Sequence, residues 1–229
     1  MELLAALVAT TAMAASTTSY IHVLTNISLQ GLVPAAAAMC GAAARLLDIT
    51  TNVIIAGVPT PDNPQPELDW AGWCGIMSVL LPATSVQFLN LTLVNLPVGP
   101  SVYTPLNLFT SLAFVVAFNR EAMGLSGVRL LLQDVTLLLP TDEMVWWRAM
   151  AADPSLAVDW ATQLPVFLVT EASNGSVSVQ HLRSVRGSFV WRNTQLVSVQ
   201  QRPPSTPLLL HDTGASAATT VSMVVYTCL

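Results

Sequence analysis

The sequence predicts an all-β fold, a parallel β-solenoid in which short strands stack in successive coils. The first observation behind this prediction is a motif that occurs five times: an aliphatic run, then Asn or Asp, then a small or β-branched residue, then another aliphatic pair. The second is composition, since 53% of the residues are hydrophobic and 9% are charged, against roughly 25% charged in average soluble domains. The copies lie at Tyr20 to Leu29, Leu46 to Ile55, Val86 to Leu93, Val128 to Leu137 and Phe189 to Leu196.

Each copy of the motif carries one polar residue that we expect at a turn of a coil. Asn and Asp suit such turns because they bond their own backbone and tolerate left-handed dihedrals. Their spacings of 26, 38, 44 and 59 residues are irregular, as variable loops between coils would produce. The alternative is chance, because the chain holds seventeen Asn and Asp residues. The residues predicted to stack are Asn26, Asn52, Asn90, Asp134 and Asn193.

The first segment, residues 1–19, is predicted to cap the solenoid. The stretch Glu2-Leu-Leu-Ala-Ala-Leu-Val is apolar and helix-prone, and an open first coil would expose strand edges and the core. Ala12-Met13-Ala14 instead matches the small-residue pattern of a signal-peptide cleavage site, although no basic segment precedes it. We expect the capping helix.

The coils are predicted to occupy residues 20–201. Pro59 to Pro66 holds four prolines and forms a loop that leaves the wall of the solenoid. Thr141 to Ala152 reads as an inserted helix, with Thr141 as N-cap and acidic residues in the first turn. Further strands are predicted at Met77 to Leu81, Val86 to Asn95, Leu112 to Asn119, Val128 to Leu139, Val166 to Thr170 and Val177 to Leu182.

The C-terminal part, residues 202–229, is predicted to be a loop followed by a last strand. Arg202 to Pro207 is rich in proline, and Ala217 to Cys228 has the β-branched content of a strand. With 229 residues the chain fits one domain, since β-rich single domains commonly reach 200 to 250 residues. The repeat also allows the chain to be a portion of a longer solenoid.

Several of these elements together resemble a known family. They are the apolar N-terminal helix, the strand Tyr20 to Leu29, Asn52-Val-Ile-Ile-Ala-Gly57, Leu68-Asp-Trp70 and Phe88-Leu-Asn-Leu-Thr-Leu-Val-Asn95. This arrangement is similar to the right-handed parallel β-helix proteins of the pectin-lyase-like superfamily, and more narrowly to a large uncharacterised group of them predicted in green algae. The resemblance covers Glu2 to about Leu139 well and implies an extracellular or cell-surface setting.

The function predicted from these features is a non-catalytic structural or recognition module at the cell surface or wall that binds polysaccharide. Contact with the ligand is expected at Trp146 and Trp147 and in the loops 57–67, 96–108 and 202–207, because aromatic rings can stack on sugars. The sequon at Asn174 lies in a predicted turn and is a candidate for N-glycosylation in the secretory pathway.

The alternative function is a polysaccharide lyase or hydrolase, because some relatives in the resembled superfamily cleave acidic polysaccharides. Its candidates are Asp48, Asp69 and Asp134 with Arg183 or Arg186. The Asn-Thr-Asp, Asp-Asp, Gly-His-Gly and Arg-Ile-Lys elements expected of hydrolases of this fold are missing from the sequence. We therefore expect no catalytic residues.

Cofactors and nucleic acids are not expected partners. The chain has no lysine and a net charge of −5, whereas phosphate binding needs a basic surface. No Gly-x-Gly-x-x-Gly or Walker loop is present, and His22, His181 and His211 lack the spacing of a metal site. The sequence therefore predicts no nucleotide, metal or other cofactor.

The low charge raises a second alternative, a multi-pass membrane protein. No charged side chain occurs between Glu2 and Arg45 or between Asp69 and Arg120. Both stretches are long enough to span a bilayer, but Pro and Asn residues interrupt them. The odd number of cysteines, Cys40, Cys74 and Cys228, leaves at least one thiol outside any intramolecular pair.

Overall fold

The computed structural model of the chain describes residues 18–29, 47–72, 77–79, 84–96, 116–118, 130–153, 166–183, 189–199 and 223–228. These residues form a parallel β-helix with one α-helix. The strands are β1 (Thr18–Val23), β2 (Ile27–Ser28), β3 (Leu47–Ile49), β4 (Asn52–Gly57), β5 (Glu67–Asp69), β6 (Met77–Val79), β7 (Val86–Leu89), β8 (Thr92–Val94), β9 (Val116–Phe118), β10 (Leu130–Gln133), β11 (Thr136–Leu139), β12 (Val166–Glu171), β13 (Val177–Arg183), β14 (Phe189–Ser198) and β15 (Met223–Cys228), and the helix is α1 (Thr141–Ala152).

In the first three coils the described strands recur in sets of three, one set to a coil. The first strands of successive coils, β1, β4, β7, β10 and the start of β14, pair in parallel as the first sheet. The second strands, β2, β5, β8, β11 and the end of β14, pair in parallel as the second sheet. A third sheet holds β3, β6 and β9. β14 continues round the corner, so its first residues pair with β10 of the first sheet and its last residues pair with β11 of the second. Because successive strands pass from one sheet to the next in every coil, the chain winds as a solenoid.

The core lies inside the coils, where strand alternation directs every second side chain. On the first sheet, residues in register form an inward row whose members are at most 1% exposed: Ile21, Ile55, Phe88, Leu132 and Trp191. The second sheet contributes an aliphatic row of the same kind: Ile27, Leu68, Leu93, Leu137 and Leu196. The high hydrophobic content of the sequence is explained by these rows, because each coil buries its own apolar residues against the next.

Antiparallel strands cover both ends of the first sheet. β15 pairs with β1, from Thr18 opposite Cys228 to Val23 opposite Met223. At the other end, β13 pairs with β14, and β12 pairs with β13. β15 lies within the stretch where a last strand is predicted, and it pairs with the first coil. Pairing of this kind removes free backbone groups from a sheet edge and so protects the edge from association.

Helix α1 is inserted where the sequence predicts a helix, and it packs against β12, β13 and β14. The predicted N-cap is wrong by one residue. Pro140 holds the cap position, with no side-chain capping bond, and Thr141 is the first helical residue. Asp142 and Glu143 lie in the first turn, where carboxylates interact favourably with the helix dipole.

Several expectations fall outside the described residues. They are the capping helix within residues 1–17, the loops at 97–108 and 202–207, and Cys40 and Cys74. In the part of the chain that the structure describes, no helix combines the length and the hydropathy that a bilayer crossing requires.

Candidate functional site

The corner between the first and second sheets carries a column of turn residues. Asn90, Asp134 and Asn193 follow the first strand of successive coils and have φ of 51°, 54° and 48°. Backbone bonds continue through the corner, from Asn90 N to Gln133 O at 3.0 Å and from Asp134 N to Arg192 O at 3.1 Å. Asn and Asp fit here because they tolerate the left-handed conformation better than other side chains do.

Gly57 completes this column in the second coil, where the sequence analysis placed Asn52. Asn90 donates its Nδ2 to Gly57 O at 3.0 Å. A Cβ atom added at Gly57 would lie 2.0 Å from the backbone oxygen of Asn90, far inside van der Waals contact. The coils therefore approach so closely at this point that only glycine fits.

Asn52 belongs to another corner of the coil. It is the first residue of β4, in register with Thr18, and β3, which precedes it, belongs to the third sheet. Its Oδ1 accepts bonds from Ser85 N at 3.0 Å and Ser85 Oγ at 3.1 Å. The predicted alignment of Asn52 with Asn90, Asp134 and Asn193 needs correction, because this copy of the motif spans the corner between the third and first sheets.

Asn26 lies at the entry to the second sheet, directly before β2, where the pairing of β2 with β5 places it beside Glu67. Its predicted alignment with Asn90 therefore also needs correction. Its Oδ1 accepts bonds from Glu67 N at 2.9 Å and from Asn63 Nδ2 at 3.0 Å. Glu67 begins β5 and Asn63 lies in the proline-rich loop, so the exposed Asn26 links the first coil to the second. Its role resembles that of Asn52, a side-chain bond between neighbouring coils.

The proline-rich loop, residues 58–66, folds over the corner, and Gln65 is its principal anchor. The Nε2 of Gln65 donates to Asp134 O at 2.8 Å and to Leu91 O at 3.2 Å. Its Oε1 accepts from Thr136 Oγ1 at 2.9 Å and Thr92 Oγ1 at 3.3 Å. One side chain of the second coil thus bonds groups of the third and fourth coils.

The resulting surface is a continuous array of amide, hydroxyl and carboxylate groups, which we call the polar corner. At its far end Asn193 donates its Nδ2 to Asp134 Oδ1 at 2.6 Å. Asn26, Asp134 and Asn193 are exposed, and the other members are partly buried. The polar corner consists of Asn26, Asn63, Gln65, Thr92, Asp134, Thr136 and Asn193.

A smaller group lies at the other end of the second sheet and is organised by Asp69. Its Oδ2 accepts from Ser28 Oγ at 2.9 Å. Its Oδ1 accepts from Ala71 N at 2.8 Å and from Asn95 Nδ2 at 2.9 Å. Oδ1 therefore holds the turn that follows β5, and the two carboxylate oxygens together join three coils.

The two tryptophans expected to contact a ligand occupy different environments. Trp147 is 0% exposed and packs against Trp191 with ring centroids 6.0 Å apart. Trp146 is half-buried and meets Trp147 edge to face at 5.0 Å. Because Trp147 belongs to the core beneath α1, its ring has no face available for sugar stacking.

The carboxylates proposed for the enzyme alternative lie on different parts of the coils. Asp48 is in β3 of the third sheet, Asp69 ends β5, and Asp134 is at the corner before β11. Strand spacing and rise place the last two roughly 16 Å apart. Among the described residues there is no group of three or more His, Cys, Asp and Glu that could hold a metal ion. The structure does not describe the side chain of Arg183 or any part of Arg186.

Asn174 lies where the sequence analysis predicts a turn, at the tip of the hairpin formed by β12 and β13. Its side chain is exposed, and its Oδ1 accepts from Ser176 N at 3.0 Å and Ser176 Oγ at 2.7 Å. Arg148 of α1 reaches the same turn, donating its Nε and Nη2 to Gly175 O at 2.9 and 2.7 Å. The hairpin is thereby attached to the helix.

Comparison with protein-family models, with curated proteins and with solved structures finds no match for this chain. The class that the structure itself defines is a parallel β-helix with a polar corner.

Proposed function

We propose that this protein is a non-catalytic structural or recognition module that binds polysaccharide at the cell surface or wall through the polar corner. The observation that carries the proposal is the continuous array from Asn26 to Asn193, which offers amide, hydroxyl and carboxylate groups on a β-scaffold. Groups of these kinds complement sugar hydroxyls, which both donate and accept hydrogen bonds.

The geometry of a solenoid supports a polymeric ligand. Adjacent parallel strands are about 4.7–4.9 Å apart, a separation similar to the length of one pyranose unit in an extended glycan. A glycan running across the strands would therefore meet equivalent groups on successive coils. Such a surface is pre-organised, because hydrogen bonds between its own side chains hold them in place.

The extracellular setting and the relationship to the pectin-lyase-like superfamily belong to this proposal. They are supported by the parallel coils, of which the first three have three strands each, and by the accessible sequon at Asn174. One outward row of the second sheet is polar and fits a wall-associated role, since its side chains offer hydrogen bonds to a neighbouring polymer without requiring bond cleavage. The row consists of Glu67, Thr92, Thr136 and Gln195.

A polysaccharide hydrolase is the second candidate, and one observation favours it. Glu67 and Asp69 alternate on β5 with the buried Leu68 between them, so both carboxylates face outward, about 6.6 Å apart by strand rise. Inverting glycosidases separate their carboxyl groups by roughly 6.5–9.5 Å. However, both oxygens of Asp69 accept structural hydrogen bonds, so this side chain already has a role in joining the coils.

The two candidates are tested by measuring binding and product release on the same polysaccharides. Insoluble cellulose, mannan and pectate are incubated with the protein, and bound protein and new reducing ends are both quantified. The site variant is Asp134→Gly, because glycine removes the side chain while accepting the left-handed backbone. The control is Asp142→Ala, which removes an exposed carboxylate on α1.

Binding without product release, weakened in Asp134→Gly and retained in Asp142→Ala, supports the recognition module. Product release by the unaltered protein contradicts the non-catalytic proposal, and its loss in Glu67→Gln would assign the hydrolase. Absence of binding to all three polymers contradicts polysaccharide recognition altogether.

A further inference from the structure

The geometry points to Asn174 as a site of spontaneous covalent modification, at which deamidation detaches the β12–β13 hairpin from α1. The chain has nine asparagines, and Asn174 is the only one followed by glycine. The others precede Ile, Val, Pro, Leu, Arg or Thr, whose side chains or ring hinder attack by the following backbone nitrogen. This inference does not depend on the proposed function.

The position of Asn174 makes the reaction accessible to water. Its side chain is exposed at the hairpin tip, and Gly175 has φ of 75°, a conformation that glycine adopts at no steric cost. The turn is closed by bonds between Ala172 and Ser176 and between Gly175 and Ala172, each 2.9 Å long. Exposed loop tips of this kind are where backbone chemistry concentrates.

The chemical step needs water and base alone. The backbone N–H of Gly175 first releases its hydrogen bond to Ala172 O and loses its proton to hydroxide. The nitrogen then attacks Cγ of Asn174, which forms a new N–C bond and a tetrahedral oxyanion at Oδ1. The oxyanion collapses and the C–N bond to the side-chain amide breaks, so ammonia leaves after taking a proton from water. Water then opens the resulting succinimide at either carbonyl, giving aspartate or iso-aspartate.

Ser176 is placed to assist this step. Its backbone N–H and its hydroxyl both donate to Oδ1 of Asn174, at 3.0 and 2.7 Å, the atom on which negative charge develops. Pre-formed donors to a developing oxyanion lower the barrier to attack. Ser176 therefore acts as a positioning residue for the modification.

The product alters the attachment of the hairpin to the helix. Arg148 donates its Nε and Nη2 to Gly175 O. Its Nε also lies 3.6 Å from Glu171 Oε1, within the range of an ion pair. An iso-aspartyl linkage inserts a methylene into the main chain immediately before Gly175, which displaces the carbonyl that Arg148 binds. The contact between α1 and the hairpin is then lost.

The test follows the unmodified full-length chain, produced in bacteria, during incubation at pH 8 and 37 °C in H₂¹⁸O. Trypsin cuts after Arg148 and Arg183, so one peptide carries Asn174 as its single asparagine, and a second peptide begins at Asn193. Asn193 is the matched control, because it is also exposed at a turn but precedes Thr194. Mass spectrometry quantifies conversion and ¹⁸O uptake at both sites.

We expect Asn174 to convert at least about tenfold faster than Asn193, because glycine presents no side chain to the attack. Conversion should accelerate with pH and slow in Ser176→Ala, and amide hydrogen exchange in Thr141–Ala152 should increase in the converted protein. Equal rates at the two asparagines would overturn the site. Conversion with unchanged exchange in the helix would overturn the detachment.

Discussion

Gln65→Glu isolates the contribution of the loop anchor to stability. The substitution keeps size and shape but replaces the Nε2 donor by an oxygen. Two hydrogen bonds are lost, those to Asp134 O at 2.8 Å and Leu91 O at 3.2 Å. A carboxylate then faces two carbonyl oxygens, while the hydroxyls of Thr92 and Thr136 can still donate to the other oxygen.

The expected magnitude follows from these bonds. A typical intramolecular hydrogen bond contributes about 0.5–1.5 kcal/mol net, so losing two destabilises the protein by about 1–3 kcal/mol. For a chain of this size that corresponds to a melting temperature lower by roughly 2–12 °C. Urea unfolding monitored by circular dichroism measures the change, with the slope of the transition expected to stay constant.

The matched control is Gln87→Glu. Gln87 is also half-buried, but it lies on the outward face of β7 in the first sheet. Its substitution introduces the same charge without disturbing the loop, and surface substitutions of this kind usually change stability by no more than about 0.5 kcal/mol. Equal unfolding midpoints for the two variants would refute the assignment of Gln65 as an anchor between coils.

Three further predictions test the packing of the coils. Gly57→Ala should abolish soluble folded protein, because the new Cβ would lie 2.0 Å from a backbone oxygen. The control Gly72→Ala places its Cβ where no atom lies within 4 Å, so it should reduce stability by only about 1–2 kcal/mol for its left-handed backbone. Comparable yields of the two folded variants would contradict the close approach of the coils at Gly57. Asn52→Leu should destabilise by about 1–3 kcal/mol in urea unfolding, because it leaves a buried N–H and hydroxyl of the next coil without their acceptor. Trp147→Ala should lower the stability by about 3–5 kcal/mol because it leaves a cavity in the core, and Trp146→Ala should lower it clearly less. Differential scanning fluorimetry measures both melting temperatures, and a larger loss in Trp146→Ala would contradict the placement of Trp147 in the core.

The fold could be predicted from the sequence because the relevant pattern is local. In Asn90-Leu-Thr-Leu and Asp134-Val-Thr-Leu the turn residue is followed by an inward, an outward and an inward side chain. The same order recurs from Asn193 to Leu196, so three motif copies fall on one corner. The copy at Asn52 contains a similar run of residues but spans a different corner, and residue types alone do not distinguish the two.

The candidate site was harder to predict because its contacts are distant in sequence. Gln65 reaches Thr136 across 71 residues, and nothing in the sequence of the proline-rich loop indicates that its glutamine turns toward the coils. Gly57 carries no polar side chain, so the pattern of Asn and Asp residues does not include it. Its signal was its place at the end of an aliphatic run, 33 residues before Asn90, which is one full coil.

The polar corner joins stability to the proposed recognition role. The hydroxyls of Thr92 and Thr136 are already bound by Gln65, so a glycan could use them only by displacing the loop at a cost similar to that of Gln65→Glu. The exposed Asn26, Asp134 and Asn193 need no such displacement, since they lie on either side of the anchored loop. A ligand would therefore cross over the loop and contact these outer groups, while the loop keeps the coils in register beneath it.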